Sequence, residues 1–129
     1  MSNKSKKTSE ILRDNLIALL NQEDAVSMRQ LSLSIGASDS YIQKLLTDQT
    51  SPSLQRVDAM SEFFGLDTWT LFCDYADSAR ESLEILQLIN RLPRSIRPHV
   101  VEYMKFLLKQ NEDIQKKLTG GNTARKGRK

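Results

Sequence analysis

The 129-residue chain has very little of the residue types that build covalent or metal-held scaffolds. Cys73 is its single cysteine, which excludes a disulfide within the chain, and no cysteine–histidine cluster has the spacing of a metal site. His99 is the single histidine, so we expect it to be a surface or packing residue. No nucleophile–base pair and no phosphate-binding loop can be assembled from the other residues. We therefore expect no metal, no cofactor and no enzyme activity.

Long hydrophobic runs are also missing. The longest apolar runs contain only a few residues, whereas a membrane-spanning helix needs about 20. The N-terminal sequence MSNKSKKTSE is polar and lacks the apolar segment of a secretory signal. The sequence thus predicts a cytoplasmic protein without a membrane partner, and it contains no evident site for a small-molecule substrate.

Patterns typical of β-strands are absent as well, so we predict an all-α fold. No stretch shows the strict alternation of apolar and polar residues that marks a half-buried strand. Apolar residues instead recur at helical spacing, and Ser27 with Gln30 forms a capping box at a helix start. We expect Ser38 to cap the third helix and Gly65 to end the fourth. The aromatic part of the core is predicted to contain Phe63, Phe64, Trp69 and Phe72.

The segment from Met28 to Thr47, MRQLSLSIGASDSYIQKLLT, is the most informative one in the chain. It has the pattern of two short helices joined by a sharp turn, with Gly36 where the backbone needs a positive φ. Ser32 supplies a small side chain where the two helices would cross. This combination is typical of the helix-turn-helix motif, whose second helix enters the DNA major groove. Taken alone, the segment is more often an ordinary helical hairpin, because two packed helices with a glycine turn are common.

The flanking sequences extend this pattern. Together with Ser51-Pro52-Ser53-Leu54 and Phe64-Gly65-Leu66-Asp67, the segment resembles the lambda-repressor-like domain, also called Cro-type or xenobiotic-response-element type. The resemblance covers residues 8–75 and implies five short helices, with the second and third forming the DNA-reading unit. The chain departs from the usual family pattern in having Met28 in place of Gln, Ser32 of Ala, Leu46 of Glu and Asp48 of Gly.

The resemblance implies that polar side chains on and around the third helix contact DNA. Gln43 has the groups to pair bidentately with adenine, and Lys44 to donate to guanine or to a phosphate. Asp39 can accept from cytosine, and the Tyr41 ring can lie against the sugar-phosphate backbone or a thymine methyl. The predicted DNA-binding residues are Ser27, Arg29, Ser38, Asp39, Ser40, Tyr41, Gln43, Lys44 and Thr47.

Residues 76–118 contain a second pattern, a pair of amphipathic helices separated by Pro93. Their apolar stripes are too wide for a hairpin exposed to water, so they must be buried. We expect a dimerisation appendage, and the alternative is that the pair only completes the core of the monomer. The candidate interface residues are Leu86, Ile89, Val100, Met104 and Leu107. Residues 119–129, TGGNTARKGRK, are predicted to be a disordered basic tail.

Charge is distributed unevenly along the chain. Residues 1–75 contain seven basic and ten acidic side chains, a net of −3, whereas residues 76–129 have a net of +6. Because neutralisation of phosphates drives much of DNA affinity, an acidic reading domain counts against DNA binding.

Two functions remain open. The first is a sequence-specific transcription regulator, a phage- or prophage-type repressor that binds double-stranded DNA as a homodimer. The second is a non-enzymatic interaction module that keeps the repressor-like fold without binding DNA.

Overall fold

The computed structural model describes residues 6–22 and 26–123, and these residues form helices and turns without any β-strand. The all-α prediction is therefore confirmed. Short 3₁₀ helices lie at Thr68–Phe72, Ala76–Ser78 and Arg94–Ile96. The α-helices are α1 (Thr8–Leu20), α2 (Met28–Ser34), α3 (Tyr41–Leu46), α4 (Leu54–Phe63), α5 (Ala79–Arg91) and α6 (Arg97–Thr123).

Local sequence determines where several of these helices begin. The Ser27 hydroxyl accepts from the Gln30 backbone N–H at 3.0 Å, and the Gln30 side chain accepts from the Ser27 N–H at 3.0 Å. The predicted capping box of α2 is thus present. Ser53 caps α4 by accepting from the Arg56 N–H at 3.1 Å. Each cap satisfies a backbone donor that has no partner within its own helix.

The chain divides into two compact units, and the first runs to Arg91. Its core is built by fully buried aliphatic side chains that belong to different helices, including Leu16, Leu31, Ile42 and Met60. Asn15 on α1 is also buried, and its side-chain amide donates to the carbonyls of Leu71 at 2.7 Å and Cys73 at 2.9 Å. These two bonds tie α1 to the 3₁₀ segment that follows α4.

The first unit includes α5, although the sequence predicts a separate appendage from residue 76 onward. Leu83 on α5 is completely buried in the core. The side chain of Gln87 donates to the Phe64 carbonyl at 2.8 Å, and that of Asn90 donates to the Gly65 carbonyl at 3.0 Å. The division falls after Arg91 because α5 has one side that fits the core and hydrogen-bonds to the end of α4.

Two of the four predicted core aromatics lie on the surface. Phe64 is buried and Phe72 is half-buried against the core, as expected, but Trp69 is 61% exposed and Phe63 is 39% exposed. The 3₁₀ segment buries Thr70 and Leu71 instead. A 3₁₀ turn has three residues per turn, so only part of this short segment can face inward, and the two buried residues occupy that side.

The second unit begins at Leu92 and consists mainly of α6. The predicted tail, residues 119–129, overlaps the end of this helix, which continues to Thr123. Extending an existing helix by a turn is far easier than starting one, because the nucleus is already formed. The last six residues of the predicted tail lie outside the described part of the chain. Among the residues described, no helix has the length and apolar character needed to cross a membrane.

Candidate nucleic-acid interface

The turn between α2 and α3 is built on Gly36, whose φ is +79°. The Gly36 N–H donates to the Leu33 carbonyl at 3.0 Å, and the Ala37 N–H donates to the Ser32 carbonyl at 2.9 Å. This pair of bonds closes the last turn of α2 in the manner of a Schellman motif. The prediction that Gly36 adopts a positive φ is confirmed, and the turn fixes the direction in which α3 leaves α2.

A buried serine connects the two helices directly. The Ser32 hydroxyl donates to the Met28 carbonyl at 2.7 Å and accepts from the Ile42 backbone N–H at 2.9 Å. The expectation that Ser38 caps α3 is wrong, because α3 begins at Tyr41 and Ser38 contributes only its backbone carbonyl, which accepts from the Tyr41 N–H at 3.0 Å. The first turn of α3 is therefore capped by a side chain from the preceding helix.

The two faces of α3 differ sharply. Ile42 and Leu45 are buried in the core, whereas Gln43, Lys44 and Thr47 are exposed. The helix ends at Leu46, and two residues later the backbone at Asp48 is left-handed, with a φ of +63°, while the Gln49 N–H donates to the Lys44 carbonyl at 2.8 Å. An aspartate thus adopts a left-handed conformation at the position where the resemblance predicts a glycine. The outer face of α3 is polar and is held rigidly by the packing of its inner face.

The hydroxyl of Thr47 is engaged within the helix end itself. It donates to the Gln43 carbonyl at 2.8 Å and accepts from the Gln49 side chain at 2.8 Å. For Gln43 and Lys44, no side-chain partner is found among the described residues. Their polar groups therefore face solvent and are available for a ligand, while that of Thr47 is already satisfied.

Tyr41 is only half exposed, because Arg56 from α4 covers its ring. The Arg56 guanidinium carbon lies 4.8 Å from the ring centre, a cation–π distance. Burial raises the pKa of Tyr41, and the positive charge of Arg56 acts in the opposite direction. Neither the Tyr41 hydroxyl nor one terminal nitrogen of Arg56 finds a hydrogen-bond partner in the described chain. Arg56 thus adds a fixed positive charge beside α3.

Arg56 and the Ser32 hydroxyl are parts of the site that the sequence pattern does not reveal. Arg56 lies 15 positions after Tyr41 in the chain, and no local pattern links the two residues. The role of Ser32 was predicted only as that of a small residue. Both functions depend on contacts between helices, so no signal within one helix reveals them.

Arg29 on α2 lies near Asp39 in the turn. Its Nε is 3.7 Å from an Asp39 carboxylate oxygen, and both side chains are more than half exposed. An exposed ion pair at this distance is weak, so either group remains free to exchange its partner.

Within residues 6–22 and 26–123, no group of acidic, histidine and cysteine side chains has an arrangement that holds a metal ion.

The predicted DNA-binding residues lie on α2, on α3 or in the turn between them, except Ser27, which caps the start of α2, and Thr47, which directly follows α3. Those in the turn are Ser38 and Asp39, which are exposed, and Ser40, which is half-buried. The predicted dimer residues do not lie together in one unit. Leu86 and Ile89 lie on α5 in the first unit, where Leu86 packs against the core, and Val100, Met104 and Leu107 lie on α6 in the second.

These elements form a helix-turn-helix unit inside a small helical domain. Residues 17–68 match the protein family described as helix-turn-helix. This region is therefore similar to the lambda-repressor-like helix-turn-helix domain of DNA-binding transcription regulators. No curated protein and no solved structure was found to match the chain.

Proposed function

We propose that the protein is a sequence-specific repressor of phage or prophage type that binds a two-fold operator as a homodimer, with α3 in the major groove. The observation that carries this proposal is the exposed polar face of α3, oriented by a buried inner face and by the Ser32–Ile42 hydrogen bond. A recognition helix needs this combination, because base contacts require side chains that are free at their tips and fixed at their backbone.

The roles of the exposed side chains follow from their hydrogen-bonding groups. Gln43 pairs with an adenine through its amide, and Lys44 donates to a guanine or a phosphate. Arg29 and Arg56 flank α3 and contact phosphates, which sets the position of the helix without selecting a sequence. Asp39 contacts a cytosine only if its ion pair with Arg29 opens. Ser27, Ser38 and Ser40 supply further hydroxyl donors at the edge of this surface.

A single recognition helix covers too few base pairs to select one site in a genome, so pairing of two domains is required. The apolar residues of α6 supply the surface for it, since Leu107 is 45%, Ile114 is 53% and Leu118 is 69% exposed. Two-fold pairing is the commonest symmetry of protein assemblies. On DNA it requires two half-sites about 10–11 base pairs apart, one helical turn.

Substitutions on α3 test this function. Gln43→Ala is expected to weaken binding to the preferred site by about 1–3 kcal/mol and to relax selectivity at one base pair. Lys44→Ala is expected to weaken binding to all sequences evenly if Lys44 contacts a phosphate. The measurement is a gel-shift titration at two salt concentrations, on a site selected from random-sequence DNA.

Lys109→Ala is the matched control, because it removes one positive charge from an exposed position on α6. It is expected to leave site preference unchanged. Unaltered binding by the Gln43 and Lys44 variants, with the fold intact, would remove α3 from the DNA interface.

The alternative function is an interaction module that no longer binds DNA. The net charge of −3 over residues 1–75 favours it, as does the Asp39 carboxylate that lies 3.7 Å from Arg29. The same titration separates the two functions. An interaction module enriches no sequence from the random pool and shows no salt-dependent shift.

A further inference from the structure

Five apolar residues of α6 and one asparagine follow a seven-residue repeat, while the apolar residues Val101, Tyr103, Phe106 and Leu108 lie outside it. Positions spaced alternately by four and three residues form one continuous seam, the α6 seam, from Val100 to Leu118. Spacing of this kind keeps a seam facing a partner helix when two helices wind around each other with a left-handed twist. The α6 seam consists of Val100, Met104, Leu107, Asn111, Ile114 and Leu118.

The opposite side of α6 is charged. Glu102, Lys109 and Lys116 lie at the repeat position farthest from the seam, and Glu102 forms an exposed ion pair with Lys105 at 3.6 Å. Between residues 109 and 117 the sequence is KQNEDIQKK, in which Ile114 is the single apolar residue. A segment this polar can bury only a narrow line of side chains. A second helix in a two-stranded coiled coil covers such a line.

The apolar residues of the seam are not buried within one chain. Met104 is 40% exposed, Ile114 is 53% exposed and Leu118 is 69% exposed. This contrasts with α5, where Leu83 is completely buried in the first unit. The seam therefore still needs a partner, whereas the inner side of α5 already has one.

Asn111 identifies that partner. It lies in the middle of the seam, and its side chain makes no hydrogen bond to any residue that the structure describes. An amide carries both donors and an acceptor, so two copies of Asn111 can bond to each other. An apolar residue opposite Asn111 would leave the amide unpaired and desolvated, at a cost of about 1–3 kcal/mol. A second copy of the same helix avoids this cost.

The same residue specifies orientation. In a parallel, in-register pair, Asn111 of one chain meets Asn111 of the other in one layer. The seam alternates between two kinds of position, one held by Met104, Asn111 and Leu118 and the other by Val100, Leu107 and Ile114. In an antiparallel pair, each position of the first kind faces one of the second, so Asn111 meets an apolar residue. Only the parallel arrangement satisfies both amides. A polar asparagine at such a position is also known to select two strands over three or four.

We propose that α6 forms a parallel, in-register two-stranded coiled coil with a second copy of the chain, centred on a pair of Asn111 side chains. This inference rests on the homodimer of the proposed function and assigns its interface to α6. Leu86 and Ile89 on α5 then lie outside the interface. In a parallel coil the N-terminal ends of both α6 helices lie together, which suits two domains that contact one stretch of DNA.

Cysteine cross-linking of the full-length protein tests the orientation, in a Cys73→Ser background. A parallel coil brings the two copies of Leu118→Cys within disulfide range, with Cα atoms less than about 7 Å apart. An antiparallel pair over residues 100–118 separates them by about 27 Å, at 1.5 Å per residue. We expect most of the oxidised Leu118→Cys protein to run as a covalent dimer on a non-reducing gel.

Lys116→Cys is the matched control, because position 116 lies on the charged side of the helix. We expect it to remain monomeric on the same gel. Equal cross-linking of the two variants, or none in Leu118→Cys, would overturn the parallel coil.

Substitution of Asn111 provides a second measurement. Asn111→Leu makes the seam fully apolar, so sedimentation is expected to show species heavier than twice the chain mass of 14.7 kDa. Glu112→Leu places the same side chain outside the seam and is expected to stay at twice that mass. An Asn111→Leu protein with the wild-type mass would overturn the assignment of Asn111.

Gel shifts on the same proteins separate this inference from the proposed function. A wild-type chain that binds a selected DNA site but sediments as a monomer contradicts the coil and leaves the role of α3 standing. A chain that cross-links as expected but selects no DNA contradicts the proposed function and leaves the coil standing.

Discussion

Gly36 and Asp48 end the two helices of the helix-turn-helix unit with the same left-handed backbone, at φ values of 79° and 63°. Left-handed backbone costs most residues about 1–2 kcal/mol, whereas glycine accepts it freely and aspartate accepts it better than most. The requirement for this conformation at Gly36 was visible in the sequence, because the residue lies between two amphipathic helical segments.

Gly36→Ala is expected to lower the free energy of unfolding by about 1–2 kcal/mol. A Cβ added at Gly36 would meet no atom within 4 Å, so strain of the backbone accounts for the whole effect. Urea unfolding measures it.

Asp48→Gly is the complementary change and is expected to raise the stability by less than about 1 kcal/mol, since it relieves strain but loses an exposed ion pair. That pair joins Asp48 to Arg13 at 3.7 Å. If Gly36→Ala unfolds at the same urea concentration as wild type, the turn does not require a positive φ.

Tyr75 illustrates a residue whose chemistry depends on its surroundings. Its hydroxyl donates to the Thr70 carbonyl at 2.7 Å. Burial, together with the nearby Cys73, raises the pKa of Tyr75 to about 12, from a usual value of 10.0. Folding thus favours the neutral phenol, so its contribution to stability is complete below pH 10.0 and is lost as the pH rises towards 12.

An alkaline titration of phenolate absorbance checks this value. The difference between the curves of wild type and Tyr75→Phe is expected to show one phenol with a midpoint near pH 12. At neutral pH the variant is expected to lose about 0.5–1.5 kcal/mol, the usual contribution of one hydrogen bond. A difference curve centred near pH 10.0 would mean that Tyr75 is solvated like a free tyrosine.

At the scale of elements, α3 depends on its neighbours for its stability. It has six residues and no side-chain cap of its own, and Ser32 on α2 accepts from its Ile42 N–H. An isolated helix of this length is not stable in water, because nucleation is unfavourable. We therefore expect α3 to be helical only while α2 and the core hold it.

Ser32→Ala is expected to lower the free energy of unfolding by about 1–2 kcal/mol, because the buried Ile42 N–H loses its acceptor. Binding to the selected DNA site is expected to weaken as well, since the first turn of α3 frays. Ser34→Ala, at an exposed position on the same helix, is the control and should change neither quantity. If the Ser32→Ala protein is as stable as wild type but binds DNA more weakly, the Ser32 hydroxyl orients α3 without contributing to the stability of the fold.

At the scale of the whole molecule, α5 belongs to the domain that contains the helix-turn-helix unit. Removing α5 would take Leu83 out of the core and expose the residues that pack against it. The carbonyls of Phe64 and Gly65 would also lose their hydrogen-bond donors. We therefore expect a fragment ending at residue 75 to be much less stable than one ending at Arg91.

Leu83→Ala in the full-length chain measures the same contact with one substitution. It is expected to cost about 2–5 kcal/mol, the range for removing a buried leucine. Leu88→Ala is the matched control, because Leu88 lies on the same helix but is 50% exposed, and it should cost far less. If the fragments that end at residue 75 and at Arg91 have equal thermal stability, α5 does not contribute to the stability of the first unit.

The sequence by itself determined the features that depend on neighbours along the chain. The start of α2 follows from the hydroxyl of Ser27 and the amide of Gln30, three residues apart. The turn at Gly36 and the cap at Ser53 follow in the same way from conformational preferences within one helical turn. The polar outer face of α3 was also predictable, since Gln43, Lys44 and Thr47 lie away from Ile42 and Leu45.

Tertiary structure alone decided which side of each apolar element found a partner. It buried Leu83 but left Trp69 at the surface, although both residues are strongly apolar. It also brought Arg56 over Tyr41 and gave α3 its cap from Ser32. The physical reason is that burial depends on the shape of the opposing surface, which is assembled from residues distant in the chain. A pattern within one helix indicates that an apolar face needs covering but not what covers it.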